Sequence, residues 1–134
     1  MEHPLSNPIC LMWNKAKAKN VSFKFFAKLY IRMYLDDAKH SALKAGYNPS
    51  ALELSRDGKH KLVYTTPEGK KVRFGNVLYK DYHIYKHLEQ NGSVMKGTAE
   101  MHRNAYLARA TKIAGAWKSN KYSPNNLAIH ILWN

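Results

Sequence analysis

The stretch KLVYTTPEGKKVRF, residues 61–74, constrains this chain more tightly than any other. Leu62 and Tyr64 alternate with polar neighbours before a turn, and Val72 and Phe74 do so after it. A period of two puts each pair on one face of an extended strand. Between them, Pro67 presets φ at the second turn position and Gly69 accepts positive φ, so the two runs fold back as a β-hairpin. Two strands alone are marginal in water. The hairpin must therefore pack on helices or gain a third strand.

The flanking residues supply helices. From about 21 to 45, Phe26, Leu29, Tyr30, Met33 and Tyr34 recur at three- and four-residue spacing, giving one apolar face. Lys24, Lys28 and Arg32 fall one turn apart on another face. Asn20 or Ser22 can cap the start, Gly46 suits the left-handed position after the end, and Pro49 prevents resumption. Beyond the hairpin, a short helix is expected from Asp81 until Asn91-Gly92-Ser93 breaks it. Another is expected from about Ala99 to Trp117, with Tyr106, Ala110, Ile113 and Trp117 on one face and Arg103, Arg109 and Lys112 outside it. Ser123 and Pro124 open a last amphipathic turn carrying Leu127, Ala128, Ile131 and Leu132. This greasy segment is expected to dock on the hairpin or on the preceding helix. The fold class is thus α+β: a small single domain over residues 21–134, with a long N-terminal helix and one β-hairpin packed on C-terminal helices. Residues 1–20, interrupted by Pro4 and Pro8, read as an irregular basic arm. A chain of 134 residues buries roughly two-thirds of its unfolded surface, enough for one core.

Charge narrows the function classes. Ten basic residues face five acidic ones up to residue 60, and twelve face four beyond it, for a net +13. The excess is spread through the folded body. Such a surface attracts nucleic acid, anionic lipid or acidic protein faces. Cys10 is the one cysteine, so no intramolecular disulfide scaffold forms. No apolar run reaches the ~18 residues of a membrane span. The stretch MEHPLSNPICLMWNK lacks the layout of a secretory leader.

Catalytic patterns are sparse. His83 and His87 stand four apart, a zinc-compatible spacing, but the sequence offers no cysteine pair or nearby third ligand, so no metal is expected. Asp36-Asp37 is the one adjacent acidic pair, and nucleophile elbows, P-loops and dinucleotide fingerprints are missing. The chain reads as a non-enzyme with no cofactor and no small-molecule substrate. Binding is the alternative to catalysis. Lys15, Lys17, Lys19, Lys24, Lys28 and Arg32 form a basic strip, and Met12 and Trp13 suit an arm inserted into a neighbour. Arg103, Arg109 and Lys112 add a second basic group.

From residue 61 onward the segments TPEGKKVRFG, YKDYHIYKH and HRNAYLARATKIAGAWKSNKYSPNNLAIHILWN resemble a family of small uncharacterised proteins of large nucleocytoplasmic double-stranded DNA viruses. Phe74, Gly75, Asp81, Tyr82, Lys86, Arg103, Tyr106, Arg109, Trp117, Leu127, Leu132 and Trp133 fall on the family pattern. His83 stands where Thr is usual, Tyr85 where His is usual and His87 where Asp is usual. Ala110 replaces a His, and residues 89–100 make a longer connection. The altered positions are the polar ones, which speaks against an active site. The resemblance implies a virion protein, assembled in the host cytoplasm: a minor capsid or cement component contacting the major capsid protein, other minor capsid proteins and the inner viral membrane. The alternative expectation is a non-specific DNA-binding virion or replication protein.

Overall fold

The computed structural model describes residues 23–134, with side chains from residue 27 onward. It has the expected α+β architecture, with a long helix first and a three-stranded antiparallel sheet. Helix α1 runs Phe23–Lys44. The proposed caps Asn20 and Ser22 lie outside the described residues. Its end is built as the sequence predicts. Gly46 adopts φ 87°, its N–H donates to Leu43 O (3.1 Å), and the Tyr47 N–H donates to Ala42 O (2.8 Å). That pair of bonds satisfies the last carbonyls and turns buried Tyr47 into the core.

The buried face of α1 differs from the expected one. Tyr30 and Tyr34 are inside, but the stripe continues through Ala38, Ser41 and Ala42, while Leu29 and Met33 are 46% and 44% exposed. Side-chain size decides this. The small residues let the helix approach the sheet and the closing segment, and hydropathy alone does not report that.

After a short turn at Pro49–Ala51 come β1 (Leu52–Leu54), β2 (His60–Thr65) and β3 (Lys71–Asn76), in that spatial order. The β2–β3 pair is the predicted hairpin, with Leu62 opposite Phe74 and Tyr64 opposite Val72. Its loop closes through Gly69 N–H to Thr66 O and Thr66 N–H to Lys70 O, both 2.8 Å. The third strand, β1, pairs Leu52 with Tyr64 and Leu54 with Leu62.

Helix α2 (Tyr82–Asn91) follows, capped by Asp81, whose side chain accepts from the Ile84 N–H. Helix α3 spans Thr98–Ala110, seven residues short of the expected end at Trp117. The Thr111 hydroxyl returns to Leu107 O (2.7 Å), and the Asn125 amide takes Ala110 O (3.3 Å). They supplement backbone bonds that tighten the last turn, Lys112 N–H to Arg109 O (3.2 Å) and Ile113 N–H to Ala110 O (3.4 Å), where the helix ends. Ile113 consequently sits past the helix and is 52% exposed, and Trp117 lies in a 3-10 turn over Ala116–Ser119.

Ser123 caps α4 (Pro124–Leu127) as expected, its hydroxyl accepting from the Asn126 N–H at 3.2 Å. The chain then widens into a π-helical turn over Ala128–Leu132. This closing segment docks on more than the hairpin and the preceding helix. The Ser41 hydroxyl of α1 donates to Asn134 O (2.9 Å), and His83 of α2 bonds Ile131 O (2.7 Å). Arg103 of α3 donates to Trp133 O (2.9 Å), and Tyr106 stacks on the Trp133 indole at 4.4 Å. Against β3, Leu132 presses so closely on Gly75 that a Cβ there would lie 2.7 Å from Leu132 Cδ1. Gly75 also holds φ 80°, so both its geometry and its bareness are used. Ile131, Leu132 and Trp133 are buried together with Leu52, Leu62, Phe74 and Tyr34. Among the described residues, no helix is long and apolar enough to cross a membrane.

Candidate functional site

Two polar constructions stand out: one buried, one at the surface. The buried one centres on Asp81. Its Oδ2 accepts from the Tyr34 hydroxyl (2.6 Å) and the Lys61 ammonium (2.9 Å), while Oδ1 accepts from the Ile84 N–H (3.1 Å). Lys61 and Asp81 side chains are 2% and 1% exposed, so a full ion pair lies inside the core. Burial, followed by the Asp81 charge, holds the Tyr34 phenol well above its ordinary pKa. The carboxylate thus joins α1, β2 and α2 at one point, and both its oxygens are engaged.

His83 extends this system. Ile131 O can only accept, so Nε2 carries the proton, and the Ser41 oxygen lies 3.3 Å from the same nitrogen. Nδ1 is buried with no partner among the described residues. Burial lowers the pKa of this imidazole, outweighing the Asp81 charge that raises it. His87 turns elsewhere, to Asp37 (2.6 Å), with the Tyr30 ring edge-on at 5.3 Å. The two histidines therefore serve different partners. Among the described residues, no three His, Cys, Asp or Glu side chains group as metal ligands would.

The surface construction is a cleft of about 490 Å³ between the end of β3, α3 and the closing segment. Lys61, Lys80, His102 and Arg109 line it, and no carboxylate does. Lys61 is neutralised by Asp81, but Lys80 and Arg109 have no ion-pair partner among the described residues. Stacked rings build the walls: Tyr85 on His102 (4.1 Å, 3°) and Tyr106 on Trp133 (4.4 Å, 10°). Burial raises the pKa of both the Tyr85 and Tyr106 phenols, keeping them O–H donors at neutral pH. A cleft of this size, lined by Lys80, Arg109 and two tyrosines and by no carboxylate, suits an anionic group.

A second groove of about 460 Å³ adjoins it, sharing Gly75, Asn76 and Ala128. Its character is different. Ile113, Trp117, Phe74 and Pro124 contribute apolar surface. Its two cationic-type residues, His60 and Arg73, lie 2.7 and 3.9 Å from Asp57. The His60 hydrogen bonds hold the Asp57 carboxyl well below the usual carboxylate range.

The expected binding residues scatter. Met12, Trp13, Lys15, Lys17 and Lys19 lie outside the described residues, as does the Lys24 side chain on α1. Lys28 and Arg32 are exposed on α1. Arg103 is occupied within the chain by Trp133 O and Glu100, and its guanidinium lies over the Tyr82 ring. Lys112 is exposed just past α3, and Arg109 lines the cleft. Lys61, Lys80 and His102, which join Arg109 there, were not among the expected residues. The interleaved Tyr and Lys of the segment from Tyr79 to His87 was the available signal for Lys80. Comparison of the sequence and fold with protein-family models, curated proteins and solved structures gives no match.

Proposed function

We propose that this chain is a structural protein of a large icosahedral double-stranded DNA virus, a minor capsid or cement component that binds acidic faces of its capsid neighbours. One observation carries the reading. The pattern residues Gly75, Asp81, Arg103, Tyr106, Leu132 and Trp133 bind one another or the core, and the cleft that Gly75, Tyr106, Leu132 and Trp133 frame is lined by no carboxylate. A frame of that kind preserves shape, and the cations left outside supply adhesion. The major capsid protein and other minor capsid proteins are the partners this implies, with the inner viral membrane as a further anionic surface. The test is quantitative mass spectrometry of purified particles, followed by lysine-directed crosslinking. The expected result is a fixed copy number per particle and crosslinks from Lys28, Lys80 or Lys112 to capsid chains. Absence from mature particles, with abundance in infected-cell extract, overturns it.

A second reading, non-specific DNA binding, is favoured by Lys28 and Arg32, which stand one turn apart on the exposed face of α1. Phosphate contacts give a log–log salt slope of about −0.9 each. No binding to duplex DNA at about 50 mM salt removes this reading.

A further inference from the structure

The two adjoining grooves differ in charge in a way that specifies a ligand. At one end are Lys80 and Arg109, which have no ion-pair partner among the described residues, with Tyr85, Tyr106 and His102 lining the same cleft. At the other end the chain cancels its own charge through Asp57, leaving Ile113 and Trp117 as the recognition surface. The grooves meet at Gly75 and Asn76, the last residues of the edge strand β3. A nucleic acid strand repeats its charge at every residue and is gripped by cations placed along a track. Among the described residues that line this trough, the cations without an ion-pair partner, Lys80 and Arg109, lie at one end, and Lys118 reaches over the Trp117 ring at the other. A peptide can alternate an acidic side chain with a large apolar one a few residues away.

We propose that the trough along the end of β3 binds an extended peptide segment of another protein, with an Asp or Glu between Lys80 and Arg109 and an apolar side chain against Ile113 and Trp117. The proposal rests on the adhesive reading above and deepens it by naming the surface and the chemistry of the segment. Arg109 brings a planar fork that matches a carboxylate, and Lys80 a point charge. The stacked ring pairs fix the walls beforehand, so little ordering is lost on binding.

The test is fluorescence anisotropy with a labelled peptide of about ten residues, carrying Glu-Glu near one end and Leu-Phe near the other, which matches an extended segment. Two control peptides replace Glu by Gln or Leu-Phe by Ser-Ser. The parent protein is expected to bind the first peptide about tenfold more tightly than either control. K80E/R109E is expected to weaken binding by at least about tenfold, and I113S by about threefold. K28E/R32E, the same charge change on the exposed face of α1, should alter it by less than about twofold. Far-UV circular dichroism and the urea midpoint confirm that each variant is folded. Equal binding of the Gln peptide, or equal loss in K28E/R32E and K80E/R109E, overturns the proposal. So does a single-stranded oligonucleotide that outcompetes the peptide through Lys80 and Arg109. Particle mass spectrometry separates the two claims. A virion protein that ignores the peptide sinks this proposal alone, and a peptide binder absent from particles sinks the virion reading alone.

Discussion

Removing the Asp81 carboxylate tests the interior of this fold most directly. Asp81→Ala strips partners from the Lys61 ammonium, the Tyr34 hydroxyl and the Ile84 N–H at once. An uncompensated charge left from a buried ion pair costs about 3–5 kcal/mol. The lost helix cap adds about 1 kcal/mol, and an unsatisfied buried hydroxyl about 1–3 kcal/mol. These groups share one carboxylate, so the contributions do not simply add. We expect a loss of about 4–6 kcal/mol, a large part of the roughly 5–15 kcal/mol that holds such a domain together. Lys61→Met is milder, at about 2–3 kcal/mol, because Asp81 keeps its bonds to Tyr34 and Ile84 and the Met stem fills the same space. Lys61→Met combined with Asp81→Asn removes both charges and retains a capping oxygen. It should fall within about 2 kcal/mol of the parent. Urea unfolding followed by circular dichroism and by tryptophan fluorescence measures all three. If Asp81→Ala costs no more than Lys61→Met, or the double variant is no better than Asp81→Ala, the buried pair does not organise the junction of α1, β2 and α2.

Two further outcomes follow from the closing segment. Gly75→Ala should destabilise by about 2–4 kcal/mol, combining left-handed strain with the clash on Leu132, and Leu132→Ala in the same chain should recover only the clash. A cost below about 1 kcal/mol in urea would show that β3 and Leu132 separate freely. His83 predicts a pH dependence. Its folded pKa is depressed, so its contribution is complete above the unfolded value of about 6.5 and declines as pH falls from there toward the folded value. Unfolding curves at a series of pH values should therefore show the parent losing stability in that window relative to His83→Gln. Parallel curves for the two proteins contradict the assignment of Nδ1 as a buried, unprotonated nitrogen.

Much of this architecture was legible because its signals are local. The Pro67–Gly69 turn, the Gly46 helix end and the Ser123–Pro124 start each depend on a few adjacent residues, and each forms as expected. What stayed hidden depends on partners far along the chain. Lys61 reads as the polar neighbour of Leu62, yet it is buried because Asp81, twenty residues on, receives its charge. Strand β1 has only three residues, too few for alternation to register. The run from Thr111 to Trp117 keeps a helical pattern, but the last turn of α3 closes on bonds three residues back and Asn125 donates to the Ala110 carbonyl from a different element. The same limit applies to the cleft. Arg109 was visible as a basic residue, whereas its meeting with Lys80 and His102 arises only once β3, α2 and α3 are assembled.

The closing segment also sets a clock on synthesis. Bonds such as Ser41 to Asn134, His83 to Ile131 and Arg103 to Trp133 join α1, α2 and α3 to residues made long after them. A nascent chain can form its helices and hairpin early, but it cannot seal its interior until residues 131–133 have cleared the ribosome. Copies cut short before Ile131 lack three members of the buried cluster and should be cleaved more readily by proteases.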